Sequence, residues 1–89
     1  MTTGTSASGT YYVFNKKEQQ IPIVFVHGVG LTHKIWQPQL DFFKNHSTLS
    51  YDILGHGKSS LEKEKISFDD FSDQLINLMN ELNINKIHL

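Results

Sequence analysis

The chain has 89 residues, 38% hydrophobic and 19% charged, with a formal net charge of −1 and no cysteine. That length holds one small domain or part of a larger one, and the missing cysteine excludes disulfide frameworks, Cys-based zinc sites and a cysteine nucleophile. The near-neutral balance offers nothing to nucleic acid or an anionic membrane surface, and no apolar run approaches the ~20 residues of a membrane span.

Residues 1–10 are rich in Thr, Ser and Gly and lack the basic and apolar regions of a signal peptide. They read as a flexible tail over 1–9, able at most to add one edge strand, with the domain proper over 10–89. A soluble cytoplasmic protein without nucleic-acid or membrane partners is the expectation. Thr10 to Asn15 is β-branched and aromatic and reads as a short strand. Lys16 to Gln20 is a polar turn. Ile21 to Val26 runs apolar without alternation, as a strand buried on both faces of a parallel sheet does, with Pro22 confined to its start.

His27-Gly-Val-Gly-Leu31 forms a sharp loop, followed by a short helix with Pro38 in its first turn that carries Leu40, Phe43 and Lys44. Ser47 to Tyr51 is another strand, ending at Asp52. Gly55-His56-Gly57 and Ser59-Ser60 make a second tight loop, and Glu62 to Lys65 a solvated charged stretch. Ser67 and Asp70 resemble a capping box with Asp in place of Glu. Behind them Phe68, Phe71, Leu75, Leu78 and Leu82 recur at helical spacing as a core stripe. Asn83 and Asn85 end that helix, and Ile84 to Leu89 begin a further strand. The pattern is β-β-α-β-α-β, an α/β chain whose two helical crossovers should join parallel strands. Its last strand has nothing after it to cover it, so the sheet is expected to be incomplete and the isolated chain poorly soluble.

Two phosphate-binding readings compete for the glycines. Gly57-Lys58-Ser59 copies the end of a Walker A loop, but Asp52 stands where that loop needs its first glycine, and a carboxylate there would repel phosphates. Gly28-Val29-Gly30 follows a buried strand, with Asp52 near the place of a ribose-binding acid. His33 replaces the third glycine of that dinucleotide fingerprint, and a helix starting near Pro38 aims no dipole at a pyrophosphate beside Gly30. A dinucleotide-binding domain therefore remains a minor alternative.

A third reading uses what those two leave over. A strand ending in His27-Gly28-Val29-Gly30 puts backbone N–H groups at the carboxyl edge of a parallel sheet, as an oxyanion hole requires. Ile23 to Gly30, then Trp36 to Leu40, then Tyr51-Asp-Ile-Leu-Gly-His-Gly-Lys-Ser59 resemble the N-terminal part of α/β-hydrolase fold enzymes. The likeness is to the esterase, enol-lactonase and C–C-bond hydrolase branch and covers about Tyr11 to Leu89. It implies the N-terminal part of an α/β-hydrolase sheet, mostly parallel, with helical crossovers.

By that resemblance Val29 supplies one oxyanion-hole N–H, the other coming from the residue after the nucleophile. Gly28, Val29 and Gly30 would lie against a small-molecule substrate, while His27, Asp52, Gly55, His56 and Gly57 support the loops. His27 is expected to hold its loop by hydrogen bonding and not to act as the base. Trp36 could line a pocket, and core packing at the start of a helix is the favoured expectation. His33, His46 and His88 share no helix face, so no metal site is expected. Ser59 and Ser60 lack the strand–turn–helix elbow of a nucleophile. No Gly-x-Ser-x-Gly occurs, so nucleophile, acid and base are absent from these residues, and the chain alone is expected to be inactive. The expected function is thus the N-terminal fragment of a cofactor-independent hydrolase, acting by a serine on a small ester, lactone or related carbonyl compound. The alternative from another class is a non-catalytic, truncated or degenerate α/β protein.

Overall fold

The computed structural model describes residues 2–17, 20–28, 30–59 and 67–89. Val29, Ser60 and the charged stretch Glu62 to Lys65 lie outside the described residues. Four strands form one sheet in the order β1-β2-β4-β3: β1 (Thr2–Thr5), β2 (Tyr11–Asn15), β3 (Ile23–Val26) and β4 (Thr48–Tyr51). β1–β2 and β2–β4 are antiparallel, and β3–β4 is parallel. The crossover between β3 and β4 thus joins parallel strands as expected, and the two leading strands make the sheet mixed.

Central β4 is buried along its whole length, and period-two alternation sends its side chains to two different layers. The rows Phe14–Leu49–Val24 and Tyr12–Tyr51–Val26 share one face. There Phe14, Val24, Leu49 and Tyr51 form the core with Ile53, Leu78 and Ile84, beneath α2 (Phe68–Glu81). The row Val13–Ser50–Phe25 lies on the other face. Phe25 packs on Trp36 at 5.2 Å between ring centroids and on Phe43 at 6.2 Å, beside α1 (Gln37–Phe42). Trp36 is accordingly a packing residue.

Several expectations change. Residues 2–5 are not a free tail, because the turn over Ser6–Gly9 folds them back on β2. Ser6 N–H donates to Thr10 O at 2.8 Å and Gly9 N–H to Ser6 O at 2.9 Å, and Gly9 takes φ +90°. The helical crossover begins ahead of Pro38, in a 3-10 turn over His33–Trp36 whose N-cap Thr32 accepts from Lys34 N–H. Ile84–Leu89 adds one parallel bridge instead of a strand, Ile23 to His88. Val24 N–H donates to His88 O at 2.7 Å and His88 N–H to Pro22 O at 2.9 Å.

The capping box at α2 forms in both directions, Ser67 accepting from Asp70 N–H and Asp70 from Ser67 N–H. The other end closes with Ile84 N–H donating to Met79 O at 2.8 Å and Asn83 N–H to Asn80 O at 3.3 Å, with Asn83 at φ +58°, a left-handed helix stop. Leu78 is buried, and Phe71, Leu75, Met79 and Leu82 pack against the core. Phe68 departs from the predicted stripe and is 90% exposed, because the first residue of the helix projects past the core. Among the described residues no helix is long and apolar enough to cross a membrane.

Candidate active site

Parallel pairing in the register Val26↔Tyr51 ends β3 and β4 side by side. Residues 27–31 and 52–59 therefore leave the sheet at one edge as neighbouring loops, outside the carboxyl ends of parallel strands where α/β sheets place ligands. The second loop is built around Asp52, whose side chain is fully buried. Its Oδ1 accepts from His33 N–H at 2.7 Å and lies 2.8 Å from His33 Nδ1, and its Oδ2 accepts from Lys58 N–H at 2.9 Å. Asp52 N–H donates to Tyr11 O at 3.0 Å, and its carbonyl accepts from Ser59 Oγ and from Gln74 Nε2. Burial pulls the Asp52 carboxyl upward, but the hydrogen bonds from Lys58 and His33 and the His33 charge prevail and leave it below its ordinary 3.8. Burial alone pushes neighbouring Tyr51 up to about 12, so its phenol stays neutral.

Two imidazoles join the loops. His27, buried at the end of β3, accepts the Ile53 N–H at Nε2 (3.0 Å), and its Nδ1 lies 2.8 Å from Gly28 O. His56 accepts the Gly30 N–H at Nε2 (3.0 Å), and its Nδ1 lies 2.9 Å from Leu54 O. An Nε2 that accepts must be unprotonated, so this pattern assigns both rings as neutral Nδ1–H tautomers. Each takes a backbone donor from the opposite loop, and the rings lie 5.6 Å apart. With its Nε2 facing Ile53 N–H, His27 is not placed to act as a base.

The glycines divide in the same way. Gly30 at φ +87° and Gly57 at φ +51° occupy the left-handed region, and a Cβ on Gly57 would run into the Asp52 carboxylate. Gly55 is also left-handed, at φ +72°. Gly28 needs no such freedom, since a Cβ there would only touch Leu31 Cδ1 at 3.9 Å. Beside Gly28, a cleft of about 190 Å³ is lined by Val26, His27, Tyr51, Ile53, Phe68 and Phe71. Among the described residues no group of three or more His, Cys, Asp or Glu side chains could hold a metal ion.

Asp52, His27 and His56, expected from sequence as loop supports, stand at one edge of the sheet, and two further residues that carried no such expectation, His33 and Gln74, join their network. His33, read as a misfit glycine position and as a histidine outside any metal-binding spacing, is the partner of Asp52. Gln74, buried, donates to Thr10 Oγ1 at 3.1 Å and accepts from Leu54 N–H at 3.1 Å. Its position three after Phe71 and four before Leu78 put it on the buried stripe, and a polar residue there was the available signal.

A family model described as the alpha/beta hydrolase fold matches residues 21–89, which include both loops. The chain belongs to the α/β-hydrolase fold family. It is 33% identical over 85 residues to an (E)-2-((N-methylformamido)methylene)succinate hydrolase of Acinetobacter baylyi, covering 94% of this chain and 32% of that protein. It is 32% identical over 75 residues to the 3-oxoadipate enol-lactonase 1 of the same organism, covering 83% and 28%. The solved structure of an enol-lactonase from Burkholderia xenovorans superposes with a TM-score of 0.84 at 22% identity, over 97% of this chain and 35% of that one. This α/β-hydrolase chain thus spans about a third of the length of the curated relatives it matches.

Proposed function

We propose that this chain forms the N-terminal part of a cofactor-independent cytoplasmic hydrolase whose serine nucleophile attacks the carbonyl of a small ester, lactone or related compound. The Val29 N–H supplies one oxyanion-hole donor, and Gly28 and Gly30 let the backbone approach the substrate. The nucleophile, acid and base come from residues that follow Leu89. In the reaction the serine oxygen adds to the carbonyl, the oxyanion is held by the two backbone donors, and the alcohol or enolate leaves. Water then releases the acyl group. One oxyanion donor is worth about 3 kcal/mol of transition-state stabilisation.

The observation that carries this reading is the pairing of the two glycine loops at one carboxyl edge, with Gly30 and Ile53 N–H bound to opposite imidazoles. Such a framework presents a pre-set loop to a reacting carbonyl, which electrostatic stabilisation demands. The names of the relatives, a succinate-derivative hydrolase and an enol-lactonase, fit small carbonyl substrates. The test is to express the full-length gene product, assay it on short p-nitrophenyl esters and enol-lactones, and label it with a fluorophosphonate. Turnover together with covalent labelling of one serine in a Gly-x-Ser-x-Gly turn is expected. No turnover and no labelling, with no such turn in the coding frame after codon 89, would overturn the reading in favour of a non-catalytic protein.

A further inference from the structure

Gly30 is exposed, left-handed, and has open space where a Cβ would stand, so its own loop does little to restrain it. Its amide is instead fixed from the second loop by His56. That imidazole is itself set, since its Nδ1–H is directed at Leu54 O, leaving the Nε2 lone pair for Gly30. Leu54 is anchored in turn, its N–H donating to Gln74 Oε1 from α2. A continuous hydrogen-bonded chain thus runs from α2 through Leu54 and His56 to the amide one residue from Val29.

We propose that His56 is a positioning residue for the oxyanion loop. By accepting the Gly30 N–H it fixes the amide adjoining Val29 and removes Gly30 from the donors that a carbonyl oxygen could reach. This inference rests on the reading of residues 28–30 as an oxyanion loop, and it gives the histidine of Gly55-His56-Gly57 a role across the site as well as in its own turn. What the position needs is an acceptor at the reach of Nε2. Glutamine can supply one through Oε1, and phenylalanine fills the ring's volume without one.

The test uses the full-length protein. His56→Phe should lower kcat about 10-fold or more, less than the 10²–10³-fold of deleting a donor outright, with KM changed no more than about twofold. His56→Gln should recover most of that loss, which a purely structural role for the ring would not predict. Independently of activity, a 15N-labelled sample should show a scalar coupling across the Gly30 N–H···Nε2 contact and a His56 ring protonated at Nδ1. Wild-type kcat in His56→Phe, or a His56 ring protonated at Nε2 with no coupling to Gly30, would overturn the proposal. Should His56→Phe not fold, His56→Gln and the coupling still decide it. A wild type that hydrolyses nothing would sink the proposed function, while the coupling decides the contact by itself.

Discussion

The two glycine loops lie side by side at one edge of the sheet and are held in different ways. Residues 52–59 close around a fully buried carboxylate that accepts from two backbone N–H groups and meets the His33 ring, while the same residue's N–H and carbonyl bind β2 and α2. Among the described residues, the loop after β3 has no such centre. One end is fixed by buried His27, and the exposed Gly30 amide is held by a ring borrowed from the neighbouring loop. Under the proposed function the contrast separates foundation from working surface: a loop meant to face a reactant would leave its restraint to a neighbouring loop that can bury it.

Breaking the foundation should have the largest effect. Asp52→Ala removes a fully buried carboxylate and strands the part-buried N–H donors of His33 and Lys58, and should lower the unfolding free energy of the full-length protein by about 3–5 kcal/mol in urea melts. The same carboxyl gives a signed pH dependence. Its folded value lies below its ordinary 3.8, so the native state binds fewer protons than the unfolded one as the pH falls. The stability it contributes is complete above about pH 4 and is lost as pH falls through the lowered folded value. Asp52→Asn should therefore show a shallower acid limb than wild type in the same urea titration.

A smaller pair of changes sharpens the difference between the loops. Gly57→Ala meets both a left-handed backbone and the Asp52 carboxylate and should lose about 2–3 kcal/mol. Gly28→Ala in the other loop meets neither and should stay within about 0.5 kcal/mol of wild type. Equal losses in thermal or urea melts would remove the distinction. Away from both loops, Ser67→Ala deletes the cap acceptor of α2 and should lower stability by about 1 kcal/mol without changing kcat.

Much of this was legible in the residues because the signals were local. The apolar run Ile23–Val26, the cap pair Ser67 and Asp70 and the left-handed stop at Asn83 each act within one or two turns of chain. β1 was legible only as a tail able to add an edge strand, because its Thr-Thr-Gly-Thr sequence carries no apolar face, and a Ser6–Gly9 turn makes it a strand only once β2 is there to pair with. Phe68 was misjudged because periodicity tells which side of a helix a residue is on, and not how far the underlying core extends.

The order of the elements from β2 to α2, the two glycine motifs and the α/β-hydrolase family were determined by the sequence itself, since each rests on spacing within a short segment. The contacts of Asp52 with His33, of His27 with Ile53 and of His56 with Gly30 join residues 19 to 26 positions apart. No pattern along the chain encodes those pairs. They exist because β3 and β4 run parallel with Val26 opposite Tyr51; a slip of one residue would turn every side chain of a strand to the other face and part the loops. The site was therefore decided by strand register, a property that only the folded sheet possesses.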